Sequence, residues 1–289
     1  MGTSTKRALA LGGATLLTLS AAAPVMGQDA EPDHLQRILD RGLIVMSTDP
    51  LYPPQSFLDE AGEIVGFDLD VGRAIADRLG VDFVPTPTPW DVVASGRWAD
   101  RMDFSVGSMT ITVPRMESVD FTQGYRFDLA GMALREGVEV SGPEDFADLT
   151  ACVGTATTYF DYLNGTLNLG ERTDEYITVD APAFGDIQTR ETDRNCADEW
   201  ANNRADTDVW VTSQATIDQA VVEGLPVVPY GEPVFYEPLA VAFDNSVEDN
   251  DSLVAAVDEI VGQLREEGVL IELSMKWYDE DLTTPAAAE

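Results

Sequence analysis

Short apolar runs alternate with stretches whose apolar residues recur at helical spacing. Leu43-Ile44-Val45-Met46 reads as a first strand, closed by Ser47-Thr48-Asp49-Pro50. Residues 67–79 carry Leu69, Ile75, Ala76 and Leu79 on one side, which predicts a helix. Val81–Val84 reads as a second strand, ended by the Pro-Thr run at 85–89, and Phe104–Gly107 as a third. Apolar runs of strand length follow at 129–134 and 239–243. Between them stand further strand signals at Ala151–Val153 and Val209–Val211, each followed by a Ser/Thr-rich helix start. The last helix carries Leu253, Val254, Val257, Ile260, Val261 and Leu264, with Ser252 as its expected cap and Gly268 as its stop. The tail from Thr283 is small and polar and is expected to fray. Strands alternating with helices predict an α/β fold.

The first 27 residues break this pattern. Lys6 and Arg7 precede an apolar run from Ala8 to Leu19, then small residues up to Val25-Met26-Gly27. This is the layout of a secretory signal peptide over 1–27, cleaved near Gly27. Its glycines and hydroxyl residues make it short for a permanent span. Export changes how Cys152 and Cys196 read. In an oxidising compartment they predict a structural disulfide; the alternative is two buried free thiols.

Composition then narrows the chemistry. The chain has 289 residues, 52 acidic and 17 basic side chains, and a formal net charge of −35. Losing the leader's two positive charges takes this to −37, with Lys276 as the remaining lysine. Such a surface repels phosphate, so no nucleic-acid partner is expected. One histidine, His34, and two cysteines leave almost nothing from which to build a His- or Cys-rich zinc site, and no metal or cofactor is expected. A Ser-His-Asp triad would have to run through His34, just after the leader. Hydrophobic residues at 44% still supply a sizeable core.

The segment GFDLDVGRAIA at 66–76 closely resembles the signature of the extracellular solute-binding proteins of family 3, the polar amino-acid-binding subunits of ABC importers. STDPLYPPQSF (47–57), SMTITVPRMESVDF (108–121), VGTATTY (153–159), EPLAVAF (237–243) and GVLIELSMKWY (268–278) resemble further blocks of that family, in family order. The resemblance implies a periplasmic-binding-protein type II fold, with two α/β lobes joined by two hinge strands. Lobe 1 would comprise 31–125 and 240–289, lobe 2 would comprise 130–235, and the hinges would lie near 125–129 and 236–239.

The resemblance also implies a ligand site between the lobes. Arg115, in TITVPR, would grip a ligand carboxylate with its planar fork, aided by Ser108 and Thr110. Thr157 and Thr158 would add donors at a helix start, although either could be a helix cap only. Tyr52 and Trp90 would form aromatic walls or, alternatively, pack in the core. Asp49 would meet the ligand's side chain or cap the following turn. Family members that bind α-amino acids usually present a lobe-2 aspartate to the ligand ammonium. Counting through NRADTDVWV reaches Val211, Thr212 or Ser213, none of them acidic, so Thr212 stands as the candidate, with Asp206 and Asp208 nearby.

The function implied is a secreted, periplasmic, monomeric and non-catalytic solute receptor. It would bind a small polar solute, an amino acid, and deliver it to an importer permease in the membrane. The alternative is a cyclohexadienyl (arogenate or prephenate) dehydratase-like enzyme on the same fold, with Asp49 or Glu237 as acid.

Overall fold

Eight strands form one sheet, and two of them run through its whole length. The strands in chain order are β1 (Leu43–Thr48), the short β2 (Leu51–Tyr52), β3 (Ser56–Leu58) and β4 (Ile64–Val65), then β5 (Asp82–Pro87), β6 (Phe104–Thr110), β7 (Val119–Arg135), β8 (Thr150–Gly154), β9 (Asp186–Arg190), β10 (Val209–Ser213) and β11 (Val227–Asp244). The computed structural model describes residues 1–3, 32–204 and 206–284, and 32 onward forms one compact unit. The predicted leader at 1–27 therefore lies outside the described residues, apart from 1–3. No helix among those residues is long and apolar enough to cross a membrane.

The main sheet has the order β5-β1-β6-β11-β7-β10-β8-β9, and β2, β3 and β4 form a small sheet of their own. β1 runs parallel to β5 and β6, and β10 and β9 run parallel to β8. In the centre, β11 pairs antiparallel with β6 and β7, and β7 with β10. β7 and β11 stay paired from Val119↔Asp244 to Arg135↔Val227, with register shifts on the way. Each therefore serves a five-stranded half-sheet at both ends. The apolar cores divide accordingly. One gathers Ile44, Met46, Phe67, Ile75, Phe104 and Val257; another gathers Val153, Tyr162, Leu163, Val211 and Phe235. These cores belong to two α/β lobes joined by two strands, the arrangement that the family resemblance implied. Tyr236–Leu239 face Leu129–Arg126 across the junction.

Helix α1 (His34–Arg41) precedes β1, and α2 (Phe67–Leu79) begins inside the GFDLD segment. Gly66 has φ +138°, and a Cβ there would lie 2.2 Å from the Gln55 carbonyl oxygen, so only glycine fits this entry. Asp68 is fully buried and accepts from Ser108 Oγ at 2.8 Å and Tyr125 Oη at 2.9 Å. The motif thus pins α2 to β6 and β7. His34 is also structural: its ring contacts Asn250 at 2.7 Å and Asp103 at 3.0 Å.

Two details differ from the sequence reading. The helix Asp251–Glu266 starts before Ser252, with Asn250 at the cap position, so Ser252 lies within it. The tail is anchored at its beginning. Leu282 O accepts from Phe127 N–H at 2.6 Å, and Thr283 is buried beside Asp281. Cys152 and Cys196 form the expected disulfide, separated by 44 residues, and tie β8 to the helix Arg194–Ala201 within lobe 2. A loop of that length is worth roughly 4 kcal/mol on a chain-entropy account.

Candidate functional site

A cavity opens where the C-terminal ends of β1, β6, β8 and β9 meet across the hinge strands. Its lining includes eight of the nine residues expected there: Asp49, Tyr52, Trp90, Ser108, Thr110, Arg115, Thr157 and Thr158. Thr212 is the exception. It is fully buried on β10, opposite Gly131 of β7, and lies behind the cavity wall.

Arg115 lies in a 3₁₀ turn that follows Pro114. Its Nη1 donates to Thr110 O at 3.0 Å, and its Nη2 to Ala156 O at 3.1 Å. Ala156 has φ +61°, which turns its carbonyl to face lobe 1. Burial pushes the Arg115 pKa down, and the charges of Asp161 and Glu237 hold it up. The guanidinium packs over Trp90, 5.5 Å from the ring centroid, and the indole N–H also donates to Ala156 O, at 3.2 Å. Trp90 therefore supports the arginine first. Tyr52 and Tyr159 meet across the cleft, with hydroxyls 3.3 Å apart. Short α3 (Trp90–Ala94) starts at Trp90 and aims its ring at this junction.

Several hydroxyls are already committed. Ser108 Oγ donates to Asp68 and its N–H donates to the Tyr125 hydroxyl, so both donors serve the interior. Helix α4 (Thr158–Leu163) is capped by Thr157, whose Oγ1 accepts from Phe160 N–H at 3.3 Å and donates to Gly154 O at 2.8 Å. Thr110 and Thr158 both donate to Glu237 Oε2, at 2.5 and 2.8 Å. Glu237 thereby bridges the lobes from the hinge strand, and burial raises its pKa. Asp49 Oδ1 accepts from Leu51 N–H at 2.9 Å, so it caps its turn and also lines the cavity. Burial raises its pKa, and the neighbouring Glu191 raises it further.

The lining residues that the sequence reading did not single out include Glu191, Thr192 and Asp193, in the turn between β9 and the helix Arg194–Ala201. Asp193 holds the N-cap position, where aspartate ordinarily bonds its own helix. Here it makes no such bond and accepts from Gly154 N–H at 2.6 Å, with its carboxyl at the cavity. Burial pushes it up to about 7; the Gly154 N–H works against this, and the charges of Asp49 and Glu237 reinforce it. An ordinary aspartate titrates near 3.8. Because the folded pKa is the higher one, its stabilisation is complete below pH 4 and is lost as pH rises through 7. Asp193→Asn keeps the Gly154 acceptor without the charge. Denaturant titration should find this variant more stable than the parent at pH 8, by up to about 4 kcal/mol, with the difference vanishing at pH 4. An equal difference at both pH values would contradict that origin.

Five buried polar atoms at the cavity have no hydrogen-bond partner among the described residues: Ser47 Oγ, Thr48 Oγ1, Ser105 Oγ, Thr192 Oγ1 and Glu237 Oε1. Each such group costs about 1–3 kcal/mol if left unsatisfied. A wall with this many open positions suits a small, highly polar ligand.

Residues 44–280 match the sequence profile of the bacterial extracellular solute-binding proteins, family 3. The chain belongs to this family. Among the family's characterised members, it is similar to the L-cystine-binding protein TcyJ of Escherichia coli K12, 25% identical over 279 residues, covering 94% of this chain and 98% of the relative. It also resembles the cyclohexadienyl dehydratase of Pseudomonas aeruginosa PAO1, 31% identical over 112 residues, which span 39% of this chain and 41% of the enzyme. In structure it is similar to an ABC uptake transporter substrate-binding protein from Streptococcus pneumoniae with bound histidine. The TM-score is 0.73 at 18% identity, covering 87% of this chain and 98% of that one, which establishes the fold alone.

Proposed function

We propose that this chain is the solute receptor of an ABC importer and closes its two lobes on an amino acid, without catalysing a reaction. One observation carries this reading: a single cavity takes a buried arginine, Arg115, from lobe 1 and a buried carboxyl, Asp193, from lobe 2. An α-amino acid presents the complementary pair. Arg115 would take the carboxylate. Asp193 would take the ammonium, in place of the aspartate that the family's usual position lacks here. Relatives named for cystine and arginine binding support the ligand class.

Lobe 1 (31–125 and 240–289) would move against lobe 2 (130–235) about hinges near 125–129 and 236–239. Contacts such as Tyr52–Tyr159 and Val113 N–H to Asn168 O at 3.0 Å would be those of the closed form. The ligand stabilises closure by its preference for that form. A leader cleaved near Gly27 would deliver the protein to the periplasm as a monomer, there to meet a membrane permease.

Calorimetry against the common amino acids tests the reading. The expected result is saturable one-to-one binding of at least one amino acid, with the ligand recovered unchanged. No binding to any amino acid or related carboxylate would overturn it. A dehydratase-like activity is the second reading, favoured by the raised carboxyls of Glu237 and Asp193 in the same cavity. An aromatic product forming from prephenate or arogenate would establish it.

A further inference from the structure

The cavity is charged unequally from end to end. Arg115 is its one cation among the described lining residues, against the carboxyls of Asp49, Glu191, Asp193 and Glu237. Asp161, Glu237 and Tyr159 hold up the Arg115 charge, Glu191 acts on Asp49, and Asp193 is acted on by both Asp49 and Glu237. Asp49 and Glu191 therefore form the end away from the arginine, with Asp193 between them and Glu237. Asp49 comes from lobe 1 after β1, and Glu191 and Asp193 come from lobe 2 after β9.

A neutral amino acid would balance Arg115 with its carboxylate and one carboxyl with its ammonium. It would leave the partly buried Asp49 and the exposed Glu191 repelling one another at the cleft with no cation between them. Like charges at close quarters disfavour ionisation, and a third positive group offsets that repulsion. Hydroxyls beside these acids point the same way. Thr48 Oγ1 and Thr192 Oγ1, each more than nine-tenths buried, flank Asp49 and lie between Glu191 and Asp193, and neither has a partner among the described residues. Carboxyls and open hydroxyls together make an acceptor-rich surface for a group with several N–H donors. A metal ion is not the natural occupant, because no group of three or more His, Cys, Asp or Glu among the described residues is arranged to hold one. Tyr52 and Tyr159 line the path between the two ends and can pack against an aliphatic stem.

We infer that the cleft selects amino acids with a cationic side chain, which Asp49 and Glu191 receive, beyond the Asp193 carboxyl that takes the ammonium. This rests on the amino-acid receptor reading above and names its substrate class.

Arginine and citrulline test it, since they share shape and differ in charge; lysine and norleucine provide a second pair. In calorimetry on the mature protein at pH 7.5, each cationic member should bind at least about a hundredfold more tightly than its neutral partner. Glu191→Gln should weaken arginine by about fivefold and leave citrulline unchanged. Asp49→Asn should act in the same direction. Equal affinity for arginine and citrulline, or a Glu191→Gln loss shared equally by both, would overturn the inference while leaving the receptor reading intact. If no amino acid of any charge binds, the receptor reading fails and this inference fails with it.

Discussion

Replacing Arg115 by alanine should abolish amino-acid binding, lowering affinity by at least about a hundredfold in calorimetry, while circular dichroism shows the fold unchanged. Truncating one partner of a buried, hydrogen-bonded charge pair typically costs 2–5 kcal/mol, because the other charge is left desolvated and unpaired. A ligand carboxylate drawn into this cleft would face Asp49, Glu191, Asp193 and Glu237 with no cation to meet it. The arginine also ties the lobes together. Its bond to Ala156 O crosses from lobe 1 to lobe 2, and it lies over the Trp90 ring. The alanine variant would therefore lose both the charge and one closing contact. Arg115→Lys separates the two effects. It restores a charge but cannot reproduce a fork that reaches two carbonyls and a carboxylate at once, so it should recover only part of the affinity. Unchanged binding by the alanine variant would remove Arg115 from the site.

Much of this arrangement was legible in the sequence, and the part that was not has physical causes. Helix 67–79 and the strand at 43–46 declared themselves because one face of each is apolar and buried. The hinge strands did not. Their outer halves read as separate runs at 129–134 and 239–243, because the residues joining the halves are polar: Arg126, Asp128 and Glu237. Those charges are buried at the junction of two lobes, where a simple alternation of apolar and polar positions fails. The site divides in the same way. Arg115 and Thr158 sit in segments with a recognisable local pattern. Asp193 looks like a helix cap in sequence, and only the approach of the Gly154 N–H, 39 residues away, reveals its other engagement. Counting along β10 leads to Thr212, which does not line the cavity, whereas Asp193, in the turn after β9, does; the Thr212 side chain acts on the Asp193 carboxyl, favouring its charged form.

Replacing Arg126 should destabilise the protein by about 3–5 kcal/mol, the range for removing one member of a buried ion pair. Arg126 is fully buried on β7 at the hinge. Its Nη2 donates to Asp128 Oδ2 at 2.9 Å, Nη1 donates to the Tyr278 hydroxyl, and its carbon centre lies 5.0 Å from the Tyr278 ring centroid. Asp68 feels its charge as well; burial raises that carboxyl to about 6, and Arg126 is the strongest influence pulling it back. Arg126→Met would fill space but leave Asp128 and Asp68 together in a nonpolar junction. Since the folded Asp68 pKa is already raised, its stabilisation is lost as pH rises through 6, and without the arginine the loss should deepen at pH 8 relative to pH 5. Denaturant unfolding at both pH values measures this. Adding Asp128→Asn to the Arg126→Met variant should restore part of the stability, because it removes one stranded charge while keeping an acceptor for Ser213, whose Oγ lies 2.5 Å from Asp128. A single-variant loss below about 1 kcal/mol, or no recovery in the double variant, would mean that the hinge is held by its apolar neighbours and the strand pairing. Recovery would mean that the same buried charges that hid the hinge from the sequence pattern are what bind α2, the C-terminal helix Val269–Tyr278 and β7 into one anchored junction.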